Sequence, residues 1–219
     1  MGEVKPYYLT FVIYFILLLE NLIIILMKKR IIIFASGSGT NTENIIKYFK
    51  QSNVGEVVLV LSNKKNAKVL EKAKKHNIKS LYFNKENLFS EDGILKTLQE
   101  TKPDLIVLAG FLWKFPELIL KEYPNKVINI HPALLPKYGG KGMYGNYVHE
   151  AIIANKEPET GITIHYVNAN YDEGAIIFQE KTPLSDNETP KTVAEKVHTL
   201  EYKHFPKVIE QVLIGEETN

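Results

Sequence analysis

The chain of 219 residues contains no cysteine, which excludes disulfide bridges, a thiolate nucleophile and cysteine-ligated metal centres. It also lacks a strong excess of either charge. Lys and Arg number 27 against 25 Asp and Glu, a net charge of +2, so neither nucleic acid nor an anionic membrane surface is favoured as a partner. No segment repeats and none is compositionally simple, which removes solenoids and long linkers from consideration. No glycine loop ends in the Lys-Ser/Thr pair of a nucleoside-triphosphate site, and no His/carboxylate group has metal-ligand spacing. What is left is 45% apolar and 24% charged, the ordinary balance of a globular enzyme, with room for one good-sized domain.

Residues 1–26 stand apart from the rest. Residues 11–19 are an unbroken apolar run and 22–26 are another, separated by Glu20 and Asn21. Together they come near the length of about 20 residues that spans a bilayer. Lys28-Lys29-Arg30 follows and would hold the remainder on the cytoplasmic side. Against insertion, a mid-span acidic group such as Glu20 costs about 2.5–3.5 kcal/mol, and strand-like sequence begins at Arg30 with no linker. We therefore expect Met27 to be the physiological start. Residues 1–26 are then a mispredicted hydrophobic extension and residues 27–219 a cytoplasmic domain, with a membrane anchor as the alternative.

From Met27 onward short apolar runs alternate with segments of helical period. Residues 31–35, 57–61, 81–83, 105–108 and 127–131 read as strands, and 43–49, 69–75, 94–100 and a stretch from Pro116 as helices. This βαβα order predicts an α/β fold, a doubly wound and largely parallel sheet in a single domain. After His131 the texture changes. Residues 136–145 are glycine-rich and predict a mobile loop, 148–154 a helix, 162–167 and 176–179 a strand pair, and 189–213 a closing helix with Val193, Val197 and Leu200 inward.

Three places carry chemistry. The run Val127-Ile128-Asn129-Ile130-His131-Pro132 ends a buried strand in an amide, an imidazole and a proline. Alternation puts Asn129 and His131 on one face, and Pro132 ends the ladder, so both sit at the carboxyl edge where open α/β sheets bind ligands. Alone, the pair would read as a core Asn and His satisfying each other. Ser36-Gly37-Ser38-Gly39-Thr40-Asn41 lies between a strand and a helix, where closely spaced N–H groups and bare backbone suit a phosphate. Asp172, in the turn Asn170-Tyr171-Asp172-Glu173-Gly174, would raise the pKa of His131 by favouring the imidazolium. His165 shares a face with Thr163 and has at most a supporting role. His76, His149, His198 and His204 fall on helical stretches and read as solvated or partly buried.

These motifs resemble those of the phosphoribosylglycinamide formyltransferases, a folate-dependent formyltransferase family of purine synthesis. The matching stretches are Ala35-Ser36-Gly37-Ser38-Gly39-Thr40-Asn41, Leu108-Ala109-Gly110-Phe111, Asn129-Ile130-His131-Pro132-Ala133-Leu134-Leu135-Pro136-Lys137 and Tyr171-Asp172-Glu173-Gly174. They fall in family order over nearly all of the chain after the extension. The resemblance implies a Rossmann-like formyltransferase fold, 10-formyltetrahydrofolate as co-substrate, and no metal. It implies formyl transfer to the amine of 5-phosphoribosylglycinamide, with small molecules rather than nucleic acid or membrane as partners and a monomer or homodimer as the assembly. By the same resemblance Asn129, His131 and Asp172 are catalytic. Gly39, Thr40 and Asn41 hold the ribose phosphate, Glu201 holds the amine, and Leu112, Trp113, Lys114 and Phe115 join Asn129 around the folate.

Two departures bear on the folate. Leu112-Trp113-Lys114 stands where relatives often have a hydrophobic residue and then arginine, and an arginine common before the third helix is replaced around Ser90-Glu91-Asp92. The loop at 139–145 is also richer in glycine than in many members, and its contacts stay unassigned. Other readings are hydrolysis of the formylfolate, formyl transfer to a different amine, and a membrane-tethered binder without catalysis. The Asn129, His131 and Asp172 set argues against the last, because a pure binder does not require a proton-transfer group.

Overall fold

Central strands become legible where both faces are buried. The computed structural model describes residues 28–215, with Phe15 alone from the leading segment, so the reading of residues 1–26 lies outside the described residues. Among these, no helix is long and apolar enough to cross a membrane. Seven strands form one sheet: β1 Lys29–Phe34, β2 Gly55–Ser62, β3 Lys79–Tyr82, β4 Leu105–Leu108, β5 Val127–His131, β6 Glu159–Tyr166 and β7 Ile176–Pro183. Their order is β3-β2-β1-β4-β5-β6-β7. The first five pair in parallel and the β5–β6 and β6–β7 pairs are antiparallel. The chain winds outward from β1 through β2 to β3, then returns to β4 on the other side of β1. That reversal opens a crevice at the carboxyl ends of β1 and β4.

Helices α1 Thr40–Phe49, α2 Lys68–Lys75, α3 Lys85–Phe89, α4 Lys96–Thr101, α5 Glu117–Glu122, α6 Asn146–Ala154 and α7 Pro190–Ile214 cover the sheet. Alternation along β1 divides the core in two. Ile31 and Ile33 pack with Ile45, Ile46 and Phe49 of α1 and Val193 and Val197 of α7. Ile32 and Phe34 pack on the other face with Leu98 of α4 and Ile119 of α5. Each fully buried side chain of this size adds roughly 1.5–3 kcal/mol of transfer free energy, so both layers are held by the same central strand.

The largely parallel, single-domain sheet agrees with expectation; β3 lies at 79–82 rather than 81–83, β7 runs to Pro183 rather than 179, and three further segments differ. The helix expected over 94–100 is α4 preceded by a π-type turn, Glu91–Leu95, broken at Gly93. A Cβ there would lie 2.0 Å from the Asn87 carbonyl oxygen, so the chain turns only with glycine at that point. Helix α3 was not expected because five residues are too few to show a period; a reciprocal Asn84/Asn87 capping box starts it. Strand β6 begins at Glu159 rather than Ile162, since Thr160 and Gly161 pair with β7 although neither is a large apolar residue. The closing helix runs as expected. Thr189 and Thr192 cap it reciprocally, Pro190 opens it, and Gly215 ends it with φ 74°.

Candidate active site

A cleft of about 510 Å³ opens at the crevice between β1, β4 and β5, lined by the glycine loop, the end of β5, the 140–145 loop and one face of α7. Asn129, His131, Asp172 and Glu201 all line it, as do Gly39, Thr40 and Asn41. Residues far apart in sequence thus share one cavity.

The sheet edge fixes the amide first. In the β5–β6 ladder Asn129 stands directly opposite His165. His165 is 2% exposed, and its Nδ1–H donates to the Tyr166 carbonyl at 2.9 Å. A neutral imidazole with its proton there presents Nε2 as an acceptor, and the Asn129 amide nitrogen lies 3.1 Å from it. One N–H of Asn129 is thereby held by His165, and the other remains for the cleft. His165 accordingly orients Asn129, which is the supporting role its strand position allowed.

His131 is 3% exposed. Its Nε2–H donates to the Tyr138 carbonyl at 2.7 Å, and its Nδ1 lies 3.6 Å from Asp172 Oδ2, beyond hydrogen-bond reach. Burial therefore dominates, and the His131 pKa is pushed below the ordinary histidine value despite the upward pull of Asp172 and of the Tyr138 carbonyl. Asp172 does pull upward, as expected, but burial reverses the net direction. At 3.6 Å the carboxylate acts only through its field, while desolvation of a nearly closed ring opposes charge directly.

Asp172 adopts a left-handed φ of 56°, which the short polar side chain tolerates. The turn around it closes on β6 because position 174 is glycine: a Cβ there would lie 1.6 Å from the Tyr166 carbonyl oxygen. Its carboxylate accepts the Gly140 N–H at 2.9 Å and sits 3.6 Å from Nε2 of His165. Burial raises the Asp172 pKa, but His165, His131 and the Gly140 N–H outweigh it and hold the carboxyl below its usual range. Asp172 thus stays an anion. The 136–145 loop, expected to be mobile, is tied at Tyr138 and Gly140 by His131 and Asp172 themselves.

The glycine loop is built on a close approach. Gly39 has φ 69°, and a Cβ there would meet the Val69 side chain at 2.5 Å. Helix α1 starts beyond it with no side-chain cap, so its first-turn N–H groups face the cleft mouth unspent. Ser36 ties this loop to the β4 exit, donating its N–H to the Gly110 carbonyl at 3.0 Å and accepting the Leu112 N–H at 3.0 Å.

Glu201 is 5% exposed. Its Oε2 accepts from Asn41 Nδ2 at 2.9 Å and from His198 Nδ1 at 2.8 Å, so Oε1 has no partner among the described residues. Asn41 Oδ1 is likewise buried without one. Two acceptors on neighbouring side chains suit a group that brings N–H donors. The bond to Glu201 raises the His198 pKa above the ordinary value. His149, which also lines the cleft, goes the other way through burial.

The residues expected around the folate divide. Leu112 lines the cleft and is 39% exposed. Trp113 instead packs edge-on against Phe83 and Phe111. Phe115 is buried against Phe34, and Lys114 points to Glu117 at 3.9 Å. None of these three lines the cleft, because the segment turns back into the second core after Leu112. The sequence reading took His149 and His198 for solvated or partly buried helix residues and gave Tyr138 no role. The i, i+3 spacing of His198 and Glu201 on one helix was a usable signal. Tyr138 offered none, since it acts through a backbone carbonyl. No group of three or more His, Asp or Glu suited to a metal occurs among the described residues.

The pattern of the formyl transferase family matches residues 29–209. The chain is 36% identical over 183 residues to the chloroplastic phosphoribosylglycinamide formyltransferase of Arabidopsis thaliana, covering 81% of this chain and 63% of that protein. It is 34% identical over 186 residues to the phosphoribosylglycinamide formyltransferase of Bacillus subtilis, covering 83% and 93%. The crystal structure of phosphoribosylglycinamide formyltransferase from Bacillus halodurans superimposes with a TM-score of 0.77 at 34% identity, over 84% of this chain and 95% of that one. With a family match over residues 29–209 and a relative 34% identical that the chain covers to 93%, the chain belongs to the formyl transferase family.

Proposed function

We propose that this protein transfers a formyl group from 10-formyltetrahydrofolate to the amine of 5-phosphoribosylglycinamide, giving the N-formyl product for purine biosynthesis. The observation that carries the reading is that Asn129, His131, Asp172 and Glu201 line one cleft beside the glycine loop. The substrate phosphate takes the N–H groups at Gly39, Thr40 and Asn41, and Glu201 Oε1 with Asn41 Oδ1 receives the amine. The folate enters past Leu112 and the Asn129 end of β5. The similarity to phosphoribosylglycinamide formyltransferases supports this choice of substrate.

The amine nitrogen attacks the formyl carbon, the carbonyl π pair moves to oxygen, and a tetrahedral intermediate forms. The free N–H of Asn129 donates to that oxygen, a contribution of roughly 3–4 kcal/mol for a single oxyanion donor. Neutral His131 takes a proton from the attacking nitrogen as charge builds on it, and Asp172 stabilises the imidazolium that results. The same proton then goes to N10 of the folate as the C–N10 bond breaks. A depressed His131 pKa suits the first step, since the ring is unprotonated at neutral pH. No metal is asked of this reaction.

The test uses the purified full chain with both substrates, following the folate absorbance. Tetrahydrofolate should form only when the amine substrate is present. Formate release without the amine would make the protein a formylfolate hydrolase, and silence with both would overturn the proposal.

A further inference from the structure

The polar group that holds His131 belongs to a residue that does not line the cleft. Tyr138 carries a φ of 59°, a left-handed conformation that is an outlier for a bulky aromatic residue and persists only where its surroundings enforce it. Three contacts do so. Its hydroxyl donates to Glu157 Oε1 at 2.8 Å, and Lys137 braces the same oxygen at 3.1 Å. Its ring packs with Met143 on the small cluster of Ala133, Val148 and Ile152. The next residue, Gly139, leaves space that a Cβ would lack, 2.5 Å from Leu135 and 3.3 Å from Asp172 Cβ. The result is a carbonyl aimed at His131 Nε2.

A carbonyl oxygen can only accept, so the nitrogen it faces must carry a proton. In a neutral ring the other nitrogen is then unprotonated. Nδ1 is the nitrogen on the Asp172 side. We propose that Tyr138 is a positioning residue for His131, its strained backbone holding the imidazole proton on Nε2 so that Nδ1 is the atom that exchanges protons with the reacting groups. Glu157, in the turn after α6, serves this arrangement from outside the cleft by anchoring the Tyr138 hydroxyl. The catalytic consequence rests on the formyl-transfer reading, whereas the tautomer does not.

Nitrogen NMR of protein labelled in its six histidines, with His131 assigned by loss of its signals in His131→Gln, reads the tautomer directly. At mildly alkaline pH the wild type should show His131 protonated on Nε2 and bare at Nδ1. In Tyr138→Phe and Glu157→Ala the anchor is lost, the signals should move toward a mixture of tautomers, and kcat should fall about tenfold, the effect of one hydrogen bond on a barrier. The KM for the amine substrate should stay within about twofold, since the substrate touches neither residue. Glu157→Gln keeps an acceptor for the hydroxyl and should restore both readouts. A wild-type ring protonated on Nδ1 overturns the proposal. So does a pair of variants whose tautomer is unmoved, whether kcat is retained or falls along with thermal stability as a merely structural residue would make it. An inactive wild type with the expected tautomer would instead refute formyl transfer and leave the assignment of Tyr138 standing.

Discussion

Of the three histidines that line the cleft, two stand beside a carboxylate, and the protein pushes these two in opposite directions. His131 sits at the end of a central strand, 3% exposed, with Asp172 at 3.6 Å, and its pKa falls. His198 sits on a helix with its side chain 49% exposed and Glu201 at 2.8 Å, and its pKa rises. A carboxylate neighbour therefore does not decide a histidine's charge. A direct hydrogen bond to a partly hydrated ring favours the imidazolium, while burial without that bond favours the neutral form. The cleft uses the contrast. Under the proposed reaction a neutral base stands where the proton must move, and a ring whose imidazolium form is favoured braces the carboxylate assigned to the amine.

The contrast can be broken most strongly at the sheet edge. His131→Ala should lower kcat by about 10²- to 10⁴-fold, the usual range for a lost acid–base group, while binding of the amine substrate, measured by calorimetry, stays close to wild type. Retained turnover would remove His131 from the chemistry. Asp172→Asn keeps the shape and an oxygen for the Gly140 N–H but removes the anion proposed to stabilise the imidazolium. A fall in kcat of about 10- to 100-fold is expected, equal to roughly 1.4–2.7 kcal/mol of barrier.

At the helix end the effects should be smaller and fall on binding. Glu201→Gln should raise the KM for the amine substrate about tenfold with a lesser change in kcat, the pattern of a lost ground-state contact. His198→Ala removes only the brace and should raise the same KM by a factor of about 2–5. If either variant lowered kcat more than Asp172→Asn, the division of labour between the two ends would be wrong.

The strand elements were legible because a strand buried on both faces is a run of branched apolar residues, as at Ile31-Ile32-Ile33. The Asn129/His131 pair was legible because alternation and a terminal proline follow from covalent geometry. The direction of the His131 pKa was not, since it turns on whether a carboxylate stands at 2.8 or 3.6 Å and on how dry the ring is. Trp113, Lys114 and Phe115 were expected around the folate, largely through their backbone, on the family resemblance, yet the chain turns after Leu112 and commits Phe115 to the core. Strand β6 began early because backbone pairing with β7 needs no apolar side chain. Tyr138 escaped notice because a carbonyl is common to every residue and only its direction matters.

Stability carries the same contrast in pH. His131 binds its proton less readily folded than unfolded, so its contribution is intact above the ordinary value of 6.5 and is lost as pH falls below it toward the folded pKa. His198 is opposite: its contribution is present below 6.5 and disappears as pH rises through its raised value. The most direct measurement is a titration of both rings by NMR in the ligand-free protein, with each assigned by substitution. The two midpoints should lie on either side of 6.5, His131 below and His198 above. A His131 midpoint above 6.5 would show that burial does not dominate the ring, and the account of a base kept neutral by burial would be contradicted.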